Sequence, residues 1–435
     1  MRYRVSLSRD PGPSTPDPRP STPAPMRVLV FEIGFGGHRT TYLRHLLEAL
    51  ARLDCEVILY TSREAWDSSE SRINLDPVCD RVQVEASSER TTMDPLGVAR
   101  EKCRWLEEAG RRFRPDHVFV PTGDGMSEIM APRRLLRGGR WWRDVEVEVI
   151  MHGCRFAYPQ SHWRRRQVDR YSRFALRSAG WARVHFVDVL AYDFVRKQGG
   201  VLAERSRLLP DPIEPVEQIS TIDARRMLDL PEDGRCIGCI GEMSARKGID
   251  LLIRAFVDAE RRPTDRLLLI GRHDEQIVKM LEAHRELLAA KQIVSVDRFL
   301  EMEKMACGFA SMDLVATPYR RTTAISSIAL RAVAAGRPVL GTDQGWLGAL
   351  VPKLGLGWTC DVLDPEVFRR DLSRCLDRAE QYRPTEAADR LLAFHAPENF
   401  IGAWTARLRE RMGLAPYEDL MDWSHVLAAT DKGDA

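Results

Sequence analysis

From Met26 onward the chain repeats one unit: a short apolar run, a turn, then an amphipathic helical stretch. "RVLVFEI" (27–33) leads through "GFGGH" into a segment with Leu43, Leu46, Leu47 and Leu50 at i, i+3, i+4, i+7 spacing, and "EVILY" (56–60), "DHVFVP" (116–121), "VEVEVIMH" (145–152) and "ARVHFV" (182–187) follow as further strands. Strand, helix, strand in series implies parallel strands with both sheet faces covered by helices. The alternation breaks once, at "RLLPDPIEP" (207–215), and resumes with "RCIGCIG" (235–241), "DRLLLIG" (265–271), "IVSV" (293–296), "DLVATP" (313–318) and "RPVLGT" (337–342). The chain therefore reads as α/β, with two Rossmann-like doubly wound domains facing a cleft. At 435 residues it also exceeds what one hydrophobic core usually serves. The domains span 26–206 and 207–390, a helical segment at 391–415 closes the chain, and 416–435 is a tail without strong pattern. Residues 1–25, rich in Pro, Ser and Thr, are expected to be disordered and lack the apolar run of a signal peptide, which makes Met26 a second candidate start.

Bulk properties exclude several classes. A net charge of +2 from 65 basic and 63 acidic residues does not suit a nucleic-acid-coating protein. Nine scattered cysteines form no disulfide framework, so reduced thiols and a cytoplasmic setting are expected. Cys236 and Cys239 form a CxxC inside a strand, where residues three apart point to opposite faces; without a second Cys/His pair no metal is expected there. No apolar run approaches the ~20 residues that span a bilayer.

Sheets of this kind bind ligands beyond the carboxyl ends of their strands, so loops there carry the chemistry. "GFGGHR" places Gly34, Gly36, Gly37 and His38 between the first strand and its helix, where backbone can approach a phosphate or sugar. A tight turn without ligand would use the same residues. It is not the dinucleotide fingerprint, because the third glycine position is Arg39. Neither a P-loop nor a D-x-D pair occurs, so no cofactor and no metal are expected. "GEMSARKGIDLLIRAF" (241–256) sets Arg246 and Lys247 just before a helix, where cations and helix amides suit a diphosphate; a solvated basic helix start is the plainer reading.

Together with "LLLIG" and "ATPYRRTTAISSIALRAVAAGRPVLGTDQG" (316–345), that segment resembles the donor domain of the retaining GT-B glycosyltransferases of the glycogen-synthase-like and mannosyltransferase-like group. The resemblance covers 235–345 well and the first domain in outline. It implies transfer of a sugar from a nucleotide sugar to an acceptor that the sequence does not identify, without metal. It assigns Lys247 to the diphosphate, with Gly241 in the same loop. The family's partner arginine falls on Glu242, which Arg246 would offset. The family's paired glutamates fall on Thr323 and Arg331, by the donor sugar and the ribose. Ser326 and Ser327 occupy the turn whose amides meet the phosphates. His152 ends the strand where related enzymes place a histidine near the reacting sugar, although a buried structural histidine fits as well. On this reading the charge of the departing diphosphate is met by Lys247 and Arg246, and His152 is the third candidate catalytic group. A noncatalytic sugar-nucleotide-binding protein that has lost the family's acids is the rival.

Asp124 and Glu128 follow "DHVFVP", where they could touch an acceptor or simply be solvated. Between Arg133 and Arg183, "RRLLRGGRWWR" and "WRRRQVDRYSRFALRSAGWAR" interleave arginine with aromatics. That composition suits peripheral contact with an anionic membrane, or a solvated helix face over core tryptophans.

Overall fold

Every apolar run read above as a strand pairs in parallel with its neighbours in a computed structural model that describes residues 25–34, 38–89, 92, 94–137, 145–158, 162–216, 219–298 and 302–428. In the first domain β1 (Met26–Phe31), β2 (Cys55–Ser62), β3 (Gln83–Ser88), β4 (His117–Val120), β5 (Glu146–Met151), β6 (Arg183–Phe186) and β7 (Ser206–Leu208) lie in the order β3-β2-β1-β4-β5-β6-β7. In the second, β8 (Cys236–Ile240), β9 (Arg266–Ile270), β10 (Ile293–Val296), β11 (Leu314–Thr317), β12 (Val339–Thr342) and β13 (Gly357–Cys360) lie in the order β10-β9-β8-β11-β12-β13. The strands absent from the sequence reading are β3, β7 and β13. Each is an edge or next to nothing on one side, so each needs less apolar surface and leaves a weaker pattern.

The helices that matter for the cleft are α1 (His38–Leu50), α2 (Pro95–Phe113), α3 (Met126–Arg137), α4 (Trp163–Ser178) and α5 (Val189–Gln198) in the first domain, and α6 (Ile249–Asp258), α7 (Ser327–Ala334) and α8 (Gly345–Leu350) in the second. Leu43, Leu46, Leu47 and Leu50 of α1 are all buried, as their spacing requires. Cys236 and Cys239 enter separate core layers on opposite faces of β8. Strand order reverses between β1 and β4 and again between β8 and β11, so each sheet has a switch point where two loops part and leave a crevice.

The linker and the closing helix tie the domains together. The linker after β7 is tied to α1: the Tyr42 hydroxyl donates to Asp211 Oδ1 at 2.9 Å, and Arg44 pairs with Glu214. The helix α9 (Pro397–Arg411) crosses back and buries Phe400, Trp404 and Leu408 among Tyr42, Leu43 and Leu47. At ~25 cal/mol per Å² of apolar area, burial of those three side chains ties the closing helix to the first domain. Arg407 on the same helix makes a forked bond to Glu146, at 2.6 and 2.8 Å. Within the tail, Trp423–Leu427 forms a short helix whose Val426 is buried against the second domain, a contact that no local pattern announces. Residues 1–24 lie outside those described, so the expected N-terminal extension does too.

Candidate active site

At the second domain's switch point two loops and a helix start meet. After β8 the chain turns at Gly241 (φ +119°), runs through a 3-10 turn at Ala245–Lys247, and reverses at Gly248, whose φ of +72° is left-handed. A Cβ on Gly248 would stand 1.9 Å from the carbonyl oxygen of Pro318, so only glycine lets this loop touch the loop after β11. Arg320 fastens the two, donating to the carbonyl of Ala245 at 2.9 Å and pairing with the buried Asp250. The second loop ends at Ser326, which caps α7 by accepting the N–H of Ala329 at 3.2 Å. That leaves the N–H groups of Ser327 and Ile328 at the helix start for a ligand.

Lys247 points into this junction. A Cβ built on Gly241 would lie 3.3 Å from Lys247 Nζ and 3.7 Å from Ile328 Cδ1, which sets the ammonium beside the first turn of α7. Among the described residues it has no hydrogen bond or ion pair, and burial pulls its pKa down. Arg246 does not join it. Its side chain is 70% exposed and bonds Glu242 at 3.0 Å, so the two cations expected to converge diverge, and the family's arginine position is met by an ion pair at the rim.

Arg331 sits in a more crowded electrostatic setting. It lies on α7 but is drawn electrostatically to Asp211 and Tyr42 and opposed by Arg44, while burial lowers its pKa. Asp211 is itself buried, and burial raises its pKa against the pull of the Tyr42 hydrogen bond, Arg331 and His152. Its N–H donates to His395 Nδ1 at 2.9 Å, and burial pushes that imidazole down to about 3, keeping it neutral. Arg331 and the Asp211 carboxyl of the interdomain linker thus lie close enough to influence each other's charge.

Facing this, the loop after β5 presents His152. Its Nε2 is 2.8 Å from the Pro121 carbonyl, and its ring lies 5.5 Å from that of Tyr42. Asp124 holds the loop by accepting the N–H of Gly153 at 2.9 Å and that of His152 at 3.3 Å. Glu128, by contrast, has a buried Oε2 that has no hydrogen-bond partner among the described residues. The N–H of Cys154 donates to the carbonyl of Thr323 at 3.2 Å across the cleft. His152 and Thr323, 171 positions apart, are brought to one place by that bond.

At the first switch point Gly34 donates its N–H to Glu32 Oε1 at 3.0 Å, and the Arg39 guanidinium lies over Gly34. Lys102 of α2 reaches in to donate to the Thr122 carbonyl at 3.0 Å, near Glu32, Arg39 and Asp124. Gly36 and Gly37 lie outside the described residues, as does the side chain of His38. Glu32, Lys102, Tyr42 and Asp211 were not singled out in the sequence. Glu32 alone left a signal, an acid closing an apolar strand. A cavity of about 410 Å³ opens between the domains, lined by Ala157, Tyr158, Leu190, Asp193, Phe194 and Lys197 from the first and Gly345 from the second. A Cβ on Gly345 would be 2.6 Å from Thr322 Cγ2, so the cavity adjoins the Thr323 contact. Among the described residues no group of three or more His, Cys, Asp or Glu is placed to hold a metal ion.

Two family models cover most of the chain: glycosyl transferase 4-like domain over residues 37–212 and glycosyl transferases group 1 over 234–378. The chain belongs to the group 1 glycosyltransferases, which have the GT-B fold. It is 28% identical over 186 residues to a D-inositol 3-phosphate glycosyltransferase of Corynebacterium urealyticum, a match covering 40% of this chain and 44% of that one. It is 25% identical over 175 residues to the lipopolysaccharide 1,2-N-acetylglucosaminetransferase of Salmonella typhimurium, covering 39% and 46%. The chain thus matches less than half the length of these relatives. In structure it resembles sucrose-phosphate synthase of Thermosynechococcus elongatus (TM-score 0.66, 16% identity, 89% of this chain and 99% of that one) and Anabaena HepE in complex with UDP (TM-score 0.60, 14% identity, the same coverage). At such identities the likeness shows the fold.

Proposed function

We propose that this glycosyltransferase-family protein moves a sugar from a nucleoside-diphosphate sugar to a hydroxyl acceptor, with retention and without metal, in the cytoplasm. The observation that carries this reading is Lys247: an inward ammonium with no hydrogen bond or ion pair among the described residues, beside the start of α7, in the domain whose Thr323 carbonyl accepts the Cys154 N–H across the cleft. A half-buried cation with no ion pair is costly unless a ligand supplies the anion. A departing diphosphate supplies it, and Lys247 with the amides of Ser327 and Ile328 would stabilise the charge as the sugar–oxygen bond breaks. Thr323 and Arg331 offer no carboxylate to the sugar, so the reading assigns no covalent glycosyl-enzyme step to either position. The Anabaena complexes contain UDP and UDP-glucose, which makes the uridine donors the first to try.

One feature favours a second reading, binding without transfer: of the positions at which the resemblance places donor contacts, Glu242 is paired with Arg246 and Arg331 feels the Asp211 carboxyl of the linker. An assay of sugar release and transfer across UDP-, GDP- and ADP-sugars, run with and without EDTA, separates the two. Turnover that survives EDTA and falls in Lys247→Ala supports the transferase. Saturable binding with no turnover for any donor supports the second reading, and absence of both defeats each.

A further inference from the structure

α4 shows solvent a face of unusual composition. On a wheel of 3.6 residues per turn, Trp163, Phe174 and Tyr171 fall within an arc of about 80°. Arg166, Arg170 and Arg177 line one flank, and Arg164 lies on the other. Trp163 is 59% exposed, Phe174 47% and Tyr171 44%. The helix has six arginines against one acid, Asp169, which is buried and bonded to Arg155 at 3.1 Å. α3 packs alongside, with the Tyr171 hydroxyl donating to the Glu128 carbonyl at 2.9 Å and Arg134 lying against Gly180, just past the end of α4. That places Leu135 and Leu136, 65% and 86% exposed, at the C-terminal end of the same surface.

A purely solvated face has no reason to put three aromatic rings between arginines, and a docking face for a protein core has no reason to carry six like charges. Rings at headgroup depth with guanidiniums beside phosphates satisfy both. We propose that the α3–α4 face docks on an anionic lipid bilayer. The arrangement differs from the expectation for 133–183 in one respect: Trp181 is buried and donates to Ser127 Oγ at 2.8 Å, so it belongs to the core, while Trp141 and Trp142 lie outside the described residues. No helix among the described residues is long and apolar enough to cross a membrane, so the contact is peripheral. It also adjoins the interdomain cavity, because Arg173 of α4 stacks on Phe194 of α5, a cavity-lining residue, at 5.6 Å. Docking would therefore set the edge of the cleft at the lipid surface.

The test needs no enzymatic activity. The full chain is sedimented with sucrose-loaded vesicles of phosphatidylcholine alone or with 30% phosphatidylglycerol, a mole fraction of roughly the order that sets up the surface potential of a cytoplasmic leaflet. Partition should require the anionic lipid and fall steeply as salt is raised. Arg166→Gln with Arg170→Gln should weaken it about twenty- to thirtyfold, taking roughly fivefold per arginine. Trp163→Ser with Phe174→Ser should also weaken it at least tenfold, and both variants alter exposed residues, so circular dichroism and melting should match wild type. Equal recovery with neutral and anionic vesicles overturns the proposal, as does no recovery with either or unchanged partition in both variants. A wild-type dimer in light scattering that both variants convert to monomer, with no lipid binding, would make the occupant a second copy instead.

Discussion

Replacing Lys247 with methionine should stabilise the ligand-free protein while weakening its grip on a nucleoside diphosphate. Methionine keeps most of the side-chain volume, and Lys247 Nζ has no hydrogen bond or ion pair among the described residues, so the change breaks no such internal bond. What it removes is a desolvated charge. Burial holds the lysine's pKa below its ordinary value of 10.5, so the fold disfavours the ammonium. The folded chain then binds fewer protons than the unfolded one between the lowered pKa and 10.5, and wild-type stability rises with pH across that window. The cost is fully present below the window, so the variant's advantage in melting temperature should be greatest near neutral pH and should shrink as pH approaches 10.5. With ligand the sign inverts. A charge-assisted bond to phosphate contributes about 1.5–3 kcal/mol, so UDP should bind roughly ten- to a hundredfold more weakly to the variant. Uridine, which has no diphosphate, should bind both proteins alike. Calorimetric titration with UDP and uridine, beside melting curves at several pH values, reads all of this. A variant that melts lower than wild type without ligand, or that loses uridine as much as UDP, would refute the reasoning.

Arg331→Met and Asp211→Asn should each lower stability, and the double variant should recover part of the loss, with a coupling of about 0.5–3 kcal/mol in urea unfolding; additivity within about 0.5 kcal/mol would separate the two residues. Gly248→Ala should melt lower and bind UDP more weakly, since left-handed backbone costs about 1–2 kcal/mol and the new Cβ forces the Pro318 loop to move; unchanged UDP affinity would detach that loop from the site. In the first domain Glu148, fully buried, faces His117 at 2.9 Å and His185 at 2.6 Å, and although burial opposes ionisation these partners hold its pKa at about 2 against an ordinary 4.5. Its contribution is present above 4.5 and is lost as pH falls toward 2, roughly 3 kcal/mol in all. Urea midpoints measured from pH 5 to pH 2.5 should therefore fall less in Glu148→Gln than in wild type, and parallel declines would count against it.

The architecture was legible before folding because it is written in local periodicity. A strand buried on both faces must be a continuous apolar run, and a helix covering it must repeat at 3.6 residues, so ten strands and two domains show in the string. Lys247 and Ser326 were legible for the same reason: each lies next to the element that positions it, a 3-10 turn and a helix start. Side-chain direction and distant partners were not. Arg246 and Lys247 are adjacent in the chain, yet one is exposed and paired with Glu242 and the other is turned inward, a divergence set by the turn between Gly241 and Gly248. Arg331 reads as a possible phosphate cation, and nothing nearby in sequence shows that the Tyr42–Asp211 pair, joining the first helix to the linker, lies close enough to act on its charge. Trp163 and Trp181, eighteen positions apart in one basic stretch, are told apart only by which side of α4 and the following turn is covered. Local composition specifies which elements form, since each reports its own burial period. Which charges face one another depends on the closure of the two domains, and that is settled by contacts as far apart as Arg407 with Glu146.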